Sequence, residues 1–280
     1  MENKRKYKIV ASDLDGTLLA EDQSVSSENL LAIAEMRRLG VEFVPTTGRT
    51  VDEFPADLIG SPDIRYMITS DGAAIWDKTL GEMVITNYYS KEKSKFVMDT
   101  VNSFNTFFLV HEGGKTYYDE KRYTTEVLDA CRIDSYFRQI IRTKTHPMSD
   151  FENYIIASKK AEMFVAFFAS DEDLQECRRI LLESGVVKVA QSAKNHLEIY
   201  LSEAGKGNAL KALAEKLGVD ISEVIAVGDS MNDVTLLEAA GLSLAVSNAL
   251  PEVKKTADKT ICHHRDHSAK YILENFILQK

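Results

Sequence analysis

The chain has 280 residues, 44% hydrophobic and 28% charged, enough for a buried core and for more than one ordinary domain, so two domains are expected. Its net charge of −9 and lack of any Lys/Arg-rich tract exclude the basic footprint of a nucleic-acid binder, and an anionic ligand would need positive charge from a metal and chosen lysines. A charged start (Met1-Glu2-Asn3-Lys4-Arg5-Lys6) with no apolar signal core, and no stretch near the roughly 20 apolar residues of a membrane span, predict a cytoplasmic protein with no membrane partner.

The first predicted strand, Tyr7 to Ser12, runs into Asp13-Leu14-Asp15-Gly16-Thr17. In an extended segment residues 13 and 15 point the same way, so two carboxylates are expected to converge above the strand end. That is costly without a cation or a chemical task. A calcium loop of the EF-hand kind also begins Asp-x-Asp, but here the glycine comes too early and the twelfth position is Ser24. A helix capped near Ser26 follows, with Leu30, Ile33 and Ala34 on one face, then a strand from Val41 to Thr46. Thr47-Gly48-Arg49 precedes a short predicted helix through Phe54 and Leu58, so Thr47 reads either as a helix cap or as part of an anion cradle at a helix start. A strand from Tyr66 to Ser70 and a hairpin through Ala74 to Trp76 complete this stretch.

Such βαβ alternation predicts an α/β fold: a doubly wound, mostly parallel, Rossmann-like sheet with function at the C-terminal strand ends. From about residue 86 to 192 the rhythm becomes antiparallel α+β. The elements there are a helix from Lys91, a hairpin turning at Gly113-Gly114, a strand Met163 to Phe168, a helix Leu174 to Leu182 and a strand Val186 to Val189. Gly114-Lys115-Thr116 is not a phosphate-binding loop, because Leu109 stands where the required glycine would be. The parallel rhythm resumes with a helix Gly207 to Leu217 ended by Gly218, and strands Val224 to Val227 and Leu242 to Val246. The expected organisation is therefore a core of residues 1–85 plus 193–280 interrupted by a domain of residues 86–192. Cys131, Cys177 and Cys262 are odd in number and far apart, as reduced thiols would be.

Gly228-Asp229-Ser230-Met231-Asn232-Asp233 repeats the opening logic: a strand, a glycine and two more carboxylates at a helix start. If both strands share one sheet, Asp13, Asp15, Asp229 and Asp233 meet in one crevice, and their repulsion calls for a divalent cation, with Mg2+ suited to hard oxygen ligands and a bound phosphate. Lys206, at the head of the next helix, reads either as a surface lysine or as an ammonium for the same anion.

On Asp13-Leu14-Asp15-Gly16-Thr17, Thr47-Gly48-Arg49, Lys206-Gly207 with upstream Leu197-Glu198-Ile199, and Gly228 to Asp233, the chain resembles the haloacid dehalogenase superfamily of phosphohydrolases, specifically its Cof-type branch with an inserted type IIB cap. The resemblance implies a small phosphorylated metabolite as substrate, with no obligate protein partner evident. It makes Asp13 the nucleophile and Asp15 the general acid and base. Asp13, the Asp15 carbonyl, Asp229 and Asp233 become the Mg2+ ligands, and Gly16, Thr47, Gly48, Lys206 and Asn232 the phosphate-binding residues. A cap that closes over the site and sets specificity is implied too. A phosphomutase would keep every motif, whereas a non-catalytic phospho-ligand sensor would have lost Asp13 or Asp15.

Three departures stand out. Asp71-Gly72 replaces the family's usual Asn-Gly, adding a fifth acid near the site. His263-His264-Arg265-Asp266-His267-Ser268 replaces a loop expected near the entrance, which makes Asp71, His263 and His267 candidate substrate-proximal residues and leaves a histidine zinc site as an alternative. Ala245-Val246-Ser247-Asn248-Ala249 reads as a packing change. The lone histidines His111, His146 and His196 are expected to be structural or exposed.

Overall fold

The computed structural model describes residues 6–191 and 194–279. The charged segment Met1–Arg5 and the expected domain boundary at 192/193 lie outside them. Two compact units emerge: Met1–Gly48 with Phe54–Ile85 and Gly205–Lys280, and Arg49–Glu53 with Thr86–Ala204.

The first unit begins β1 (Ile9–Ser12), α1 (Ser27–Arg38), β2 (Glu42–Pro45), α2 (Ala56–Gly60), β3 (Tyr66–Thr69), β4 (Ala74–Asp77) and β5 (Glu82–Thr86). The Ser26 hydroxyl caps α1 by accepting from the Asn29 N–H at 3.2 Å, which satisfies one of the donors a helix start leaves over. The buried face of α1 is Asn29, Ala32, Ile33 and Met36, turned from the expected Leu30, Ile33 and Ala34. Asn29 decides that rotation, because its amide donates to the Leu18 carbonyl and its oxygen accepts from the Ala269 N–H.

The second unit holds α3 (Lys91–Asn102), β6 (Thr106–Glu112), β7 (Lys115–Asp119), α4 (Thr125–Ala130), α5 (Ser135–Lys144), β8 (His146–Met148), α6 (Phe151–Ser158), β9 (Ala161–Phe168), α7 (Asp171–Glu183), β10 (Val187–Ala190) and β11 (His196–Leu201). Its sheet runs β10-β11-β9-β6-β7-β8, antiparallel except for β7 with β8. Because β11 pairs with both β9 and β10, the unit extends to Ala204, beyond the expected end at 192, and Leu197-Glu198-Ile199 belongs to it.

The first unit resumes with α8 (Lys206–Leu217), β12 (Val224–Gly228), α9 (Val234–Ala239), β13 (Leu242–Ala245), α10 (Pro251–Thr256), β14 (Lys259–Thr260) and α11 (Ser268–Ile272). Its main sheet is wholly parallel, ordered β14-β13-β12-β1-β2, and a Thr46–Ile68 bridge carries it on to the antiparallel β3-β4-β5. Near-continuous apolar strands such as Ile9-Val10-Ala11 and Val224-Ile225-Ala226-Val227 are fully buried, as strands covered on both faces must be. Among the described residues no helix is long and apolar enough to cross a membrane.

Candidate active site

Parallel register brings the two acidic motifs together. Ser12 lies opposite Val227 on one side of β1 and opposite Pro45 on the other, so Asp13, Asp229 and Thr46 leave neighbouring strands at the same C-terminal edge. The Asp13 N–H donates to the Val227 carbonyl at 3.0 Å, extending the ladder by one step. Sheets of this topology place their ligand crevice at that edge.

The centre of the site is Lys206, 1% exposed. Its Nζ donates to Asp13 Oδ1 at 2.8 Å and to Asp233 Oδ1 at 2.6 Å, and lies 3.9 Å from Asp71 Oδ1. An ammonium is buried at a cost of several kcal/mol unless paired, and here burial pushes its pKa down while Asp13, Asp233 and Asp71 more than offset that, holding it well above the usual lysine value. Asp233 is equally committed: its Oδ2 accepts from the Asp229 and Ser230 N–H groups at 3.0 and 3.1 Å, fixing the loop that presents Asp229. Asp229 Oδ1 in turn accepts from the Thr17 hydroxyl at 3.1 Å.

Asp13 Oδ2 is buried and accepts no hydrogen bond among the described residues. Burial, reinforced by Asp233, Asp229 and Asp15 and opposed by Lys206, pushes the Asp13 carboxyl well above the usual carboxylate range. Burial and Asp233 raise Asp229 to about 6. Oxygens of Asp13, Asp229 and Asp233 lie within 4.8 Å of one another. A donor-free buried carboxylate oxygen beside a second crowded carboxyl is what a hard divalent cation relieves, so these residues fit one; Asp13 and Asp229 have the freer oxygens, and Asp233 the least free.

These raised carboxyls fix the sign of a pH effect. A group that binds its proton more tightly when folded adds stability at low pH that is lost as pH rises through its folded pKa. Metal-free protein should therefore gain from Asp229 as pH falls from 7.5 through about 6, and the thermal shift on adding Mg2+ should shrink over the same interval. Melting curves with and without Mg2+ at pH 5.5 and 7.5 check this, and a Mg2+ shift larger at the lower pH would contradict it.

Several expectations need correction. Asp15 does not continue an extended strand: β1 ends at Ser12, and residues 14–19 form a turn in which the Leu18 and Leu19 N–H groups donate to the Leu14 carbonyl. Leu14 is driven inward by burial and Asp15 is left exposed, its charge still acting on Asp13 and Asp229. Gly16 permits this turn, since its φ is +79° and an added Cβ would lie 2.6 Å from Asp229 Oδ2. Thr47 and Gly48 do not head a helix. The Thr47 N–H donates to the Ile68 carbonyl, its carbonyl accepts from the Asp71 N–H, and the helix begins only at Ala56. Thr47 is buried beside the turn that carries Asp71.

Asn232 does reach the cluster, its amide donating to Asp71 Oδ1 at 3.2 Å. The histidine loop departs from expectation. His267 Nδ1 pairs with the Ser26 hydroxyl, His264 Nδ1 with the Leu19 carbonyl, and His263 Nδ1 accepts from the Arg265 N–H. With these ring nitrogens engaged, no metal-ligand cluster of histidines occurs among the described residues. Asn248 is more than a packing change: its amide donates to the Gly16 carbonyl at 2.7 Å and its oxygen accepts from the His264 N–H at 3.0 Å, so it braces the Asp15 turn. Thr17 and Asn248 were the roles hardest to see, because a single threonine or asparagine carries no spacing signal. His111 and His196 are buried, and His146 is half-exposed beside Asp52.

The turn holding Asp71 is tightly built. Gly72 has φ +88°, and a Cβ there would lie 2.3 Å from the Gly205 carbonyl oxygen at the head of α8. Gly72→Ala should destabilise by about 3 kcal/mol or more, since a left-handed conformation and a backbone clash combine. Urea unfolding measures it; a loss below about 1 kcal/mol would mean that α8 is free to shift.

The haloacid dehalogenase-like hydrolase family matches residues 10–273. Phosphatase YwpJ of Bacillus subtilis is 29% identical over 96% of this chain and 100% of its own length. The 5-amino-6-(5-phospho-D-ribitylamino)uracil phosphatase YcsE of the same organism is 29% identical over 90% of this chain and 88% of its own length. Among solved structures, a haloacid dehalogenase-like hydrolase from B. subtilis superimposes with a TM-score of 0.83 at 27% identity, covering 96% of this chain and 100% of its own. With carboxylates gathered on a buried lysine at the edge of a parallel sheet, and a match that spans both units, the chain belongs to the haloacid dehalogenase-like hydrolase family and is an enzyme of its phosphatase kind.

Proposed function

We propose that the chain is a magnesium-dependent phosphomonoester hydrolase that works through an aspartyl-phosphate on Asp13. The observation that carries this reading is the pairing of Lys206 with Asp13 Oδ1 while Asp13 Oδ2 stays buried without a donor. In this reading a carboxylate oxygen of Asp13 forms a bond to phosphorus as the ester P–O bond breaks, and the leaving oxygen takes a proton from Asp15. Exposed on its turn, Asp15 can exchange protons with solvent and leaving group. It then accepts a proton from the water that attacks phosphorus, the Asp13–phosphorus bond breaks, and inorganic phosphate is released. Lys206 and Asn232 supply N–H donors to the phosphoryl oxygens, a positioning and charge-stabilising task. Asp13 and Asp229, with Asp233 more distant in role, would hold Mg2+, which when bound supplies charge neutralisation for the transferring group.

The substrate in this reading is a small phosphorylated metabolite chosen by the second unit. Buried polar side chains there suit such selection. His111 is pushed down in pKa by burial against the pull of Glu53 and Glu198, and the Thr116 hydroxyl donates to Glu53 Oε1 at 2.7 Å. Ranking sugar phosphates, nucleotides, pyridoxal phosphate, flavin mononucleotide and 5-amino-6-(5-phospho-D-ribitylamino)uracil by kcat/KM would identify the class.

The metal requirement is checked by initial rates on a reporter phosphoester. Chelation should abolish turnover and Mg2+ restore it. Ca2+ should bind without supporting turnover, because it takes six to eight oxygens and engages a carboxylate through both. Equal rates with either ion, or full activity in chelator, would contradict the reading.

A further inference from the structure

Asp71 is the carboxylate of the cluster that the scheme above does not use. Its backbone lies in the left-handed region (φ 49°, ψ 37°), between Ser70 at φ 50° and Gly72 at φ 88°. Successive left-handed residues are costly for L-amino acids, Asp and Asn bearing the conformation best, and such strain persists where the surrounding structure demands it. Here the turn is held by the Asp71 N–H on the Thr47 carbonyl and by the close approach of Gly72 to Gly205.

That turn delivers a side chain, 1% exposed, to the two donors proposed to hold the phosphoryl group. Asn232 Nδ2 donates to Asp71 Oδ1 at 3.2 Å, and Lys206 Nζ is 3.9 Å from the same oxygen. An ammonium has three N–H groups. Asp13 and Asp233 accept hydrogen bonds from it at 2.8 and 2.6 Å, which leaves the third for Asp71 or for an oxygen of the substrate.

We infer that Asp71 is an internal competitor for the phosphoryl group: a positioning carboxylate that occupies Lys206 and Asn232 when no phosphate is bound and repels the phosphate dianion when it is. Inorganic phosphate, the product, then leaves readily, and ground-state affinity is traded for turnover. The inference rests on the phosphatase reading, since only there is the bound anion both product and inhibitor. A merely structural Asp71 would hold the turn and Asn232 without altering anion affinity.

Asp71→Asn separates the two, because asparagine tolerates the left-handed backbone and keeps an acceptor for Asn232 while removing the charge. Competitive inhibition by inorganic phosphate should tighten about tenfold in this variant with Mg2+ present, with KM falling alongside and kcat not rising. An inhibition constant within about twofold of wild type, or a weaker one, would overturn the inference. If D71N fails to fold, Asp71→Gly accepts the same backbone and carries the same expectation. Phosphate-induced thermal shift, which needs no turnover, distinguishes the two levels. A wild type that hydrolyses no phosphoester retires the phosphatase reading, whereas a phosphate shift no larger in D71N than in wild type retires the role of Asp71.

Discussion

Asp13→Asn is expected to lose at least about four orders of magnitude in kcat with its fold intact. An amide oxygen is a poor nucleophile, and the residues around it cannot substitute, because Asp233 is tied down by Lys206 and two backbone N–H groups and Asp229 by Thr17. The same change relieves a buried carboxyl crowded by Asp233, Asp229 and Asp15, so metal-free D13N should melt at or above the wild-type temperature. Lower activity together with a lower melting temperature would point to a structural role instead. Undiminished phosphate release would remove Asp13 from the nucleophile's place.

Lys206→Ala is expected to fail in two ways at once. A charge on the transferring phosphoryl group is lost from a dry site, which should cost at least about two orders of magnitude in kcat/KM. Asp13, Asp233 and Asp71 are also left facing one another without the cation that lies 2.8, 2.6 and 3.9 Å from them. Breaking a buried ion pair from one side costs about 3–5 kcal/mol, so metal-free K206A should be clearly destabilised and Mg2+ should restore part of the loss. Kinetics and melting curves with and without Mg2+ measure both. A change smaller than about threefold in kcat/KM, with an unaltered melting temperature, would mean that the lysine serves neither role.

The sequence-based expectation that Lys206 was either a surface lysine or an anion ligand shows what composition leaves undecided. Nothing in Gly205-Lys206-Gly207 says that the lysine is buried; that follows from α8 packing against the Gly72 turn, a contact between segments far apart in the chain. The strands were legible because continuous apolar runs between glycine turns are local signals, as in Val224 to Gly228. Parallel register then placed Asp13 and Asp229 together without further information. Asp15 was read correctly as near the site and wrongly as part of a strand. The pull of Leu14 into the core and the freedom of Gly16 end the extended conformation before residue 15, and strand periodicity cannot express that. The end of the second unit was missed for a related reason: β11 looks like any apolar strand, and only its pairing with β9 and β10 assigns it to that sheet. Asn248 and Thr17 were invisible because each acts through one hydrogen bond to a residue more than two hundred positions away.

The central claim is a covalent phosphoryl intermediate on Asp13, and the most direct test is to trap it. Wild-type protein turning over a good phosphoester with Mg2+ would be quenched in acid within a single turnover and reduced with borohydride, which converts an aspartyl phosphate to homoserine. The account predicts homoserine at position 13, in proportion to the phosphate not yet released, and none without substrate. Asp13 recovered unmodified at every quench time, while phosphate release proceeds, would contradict it.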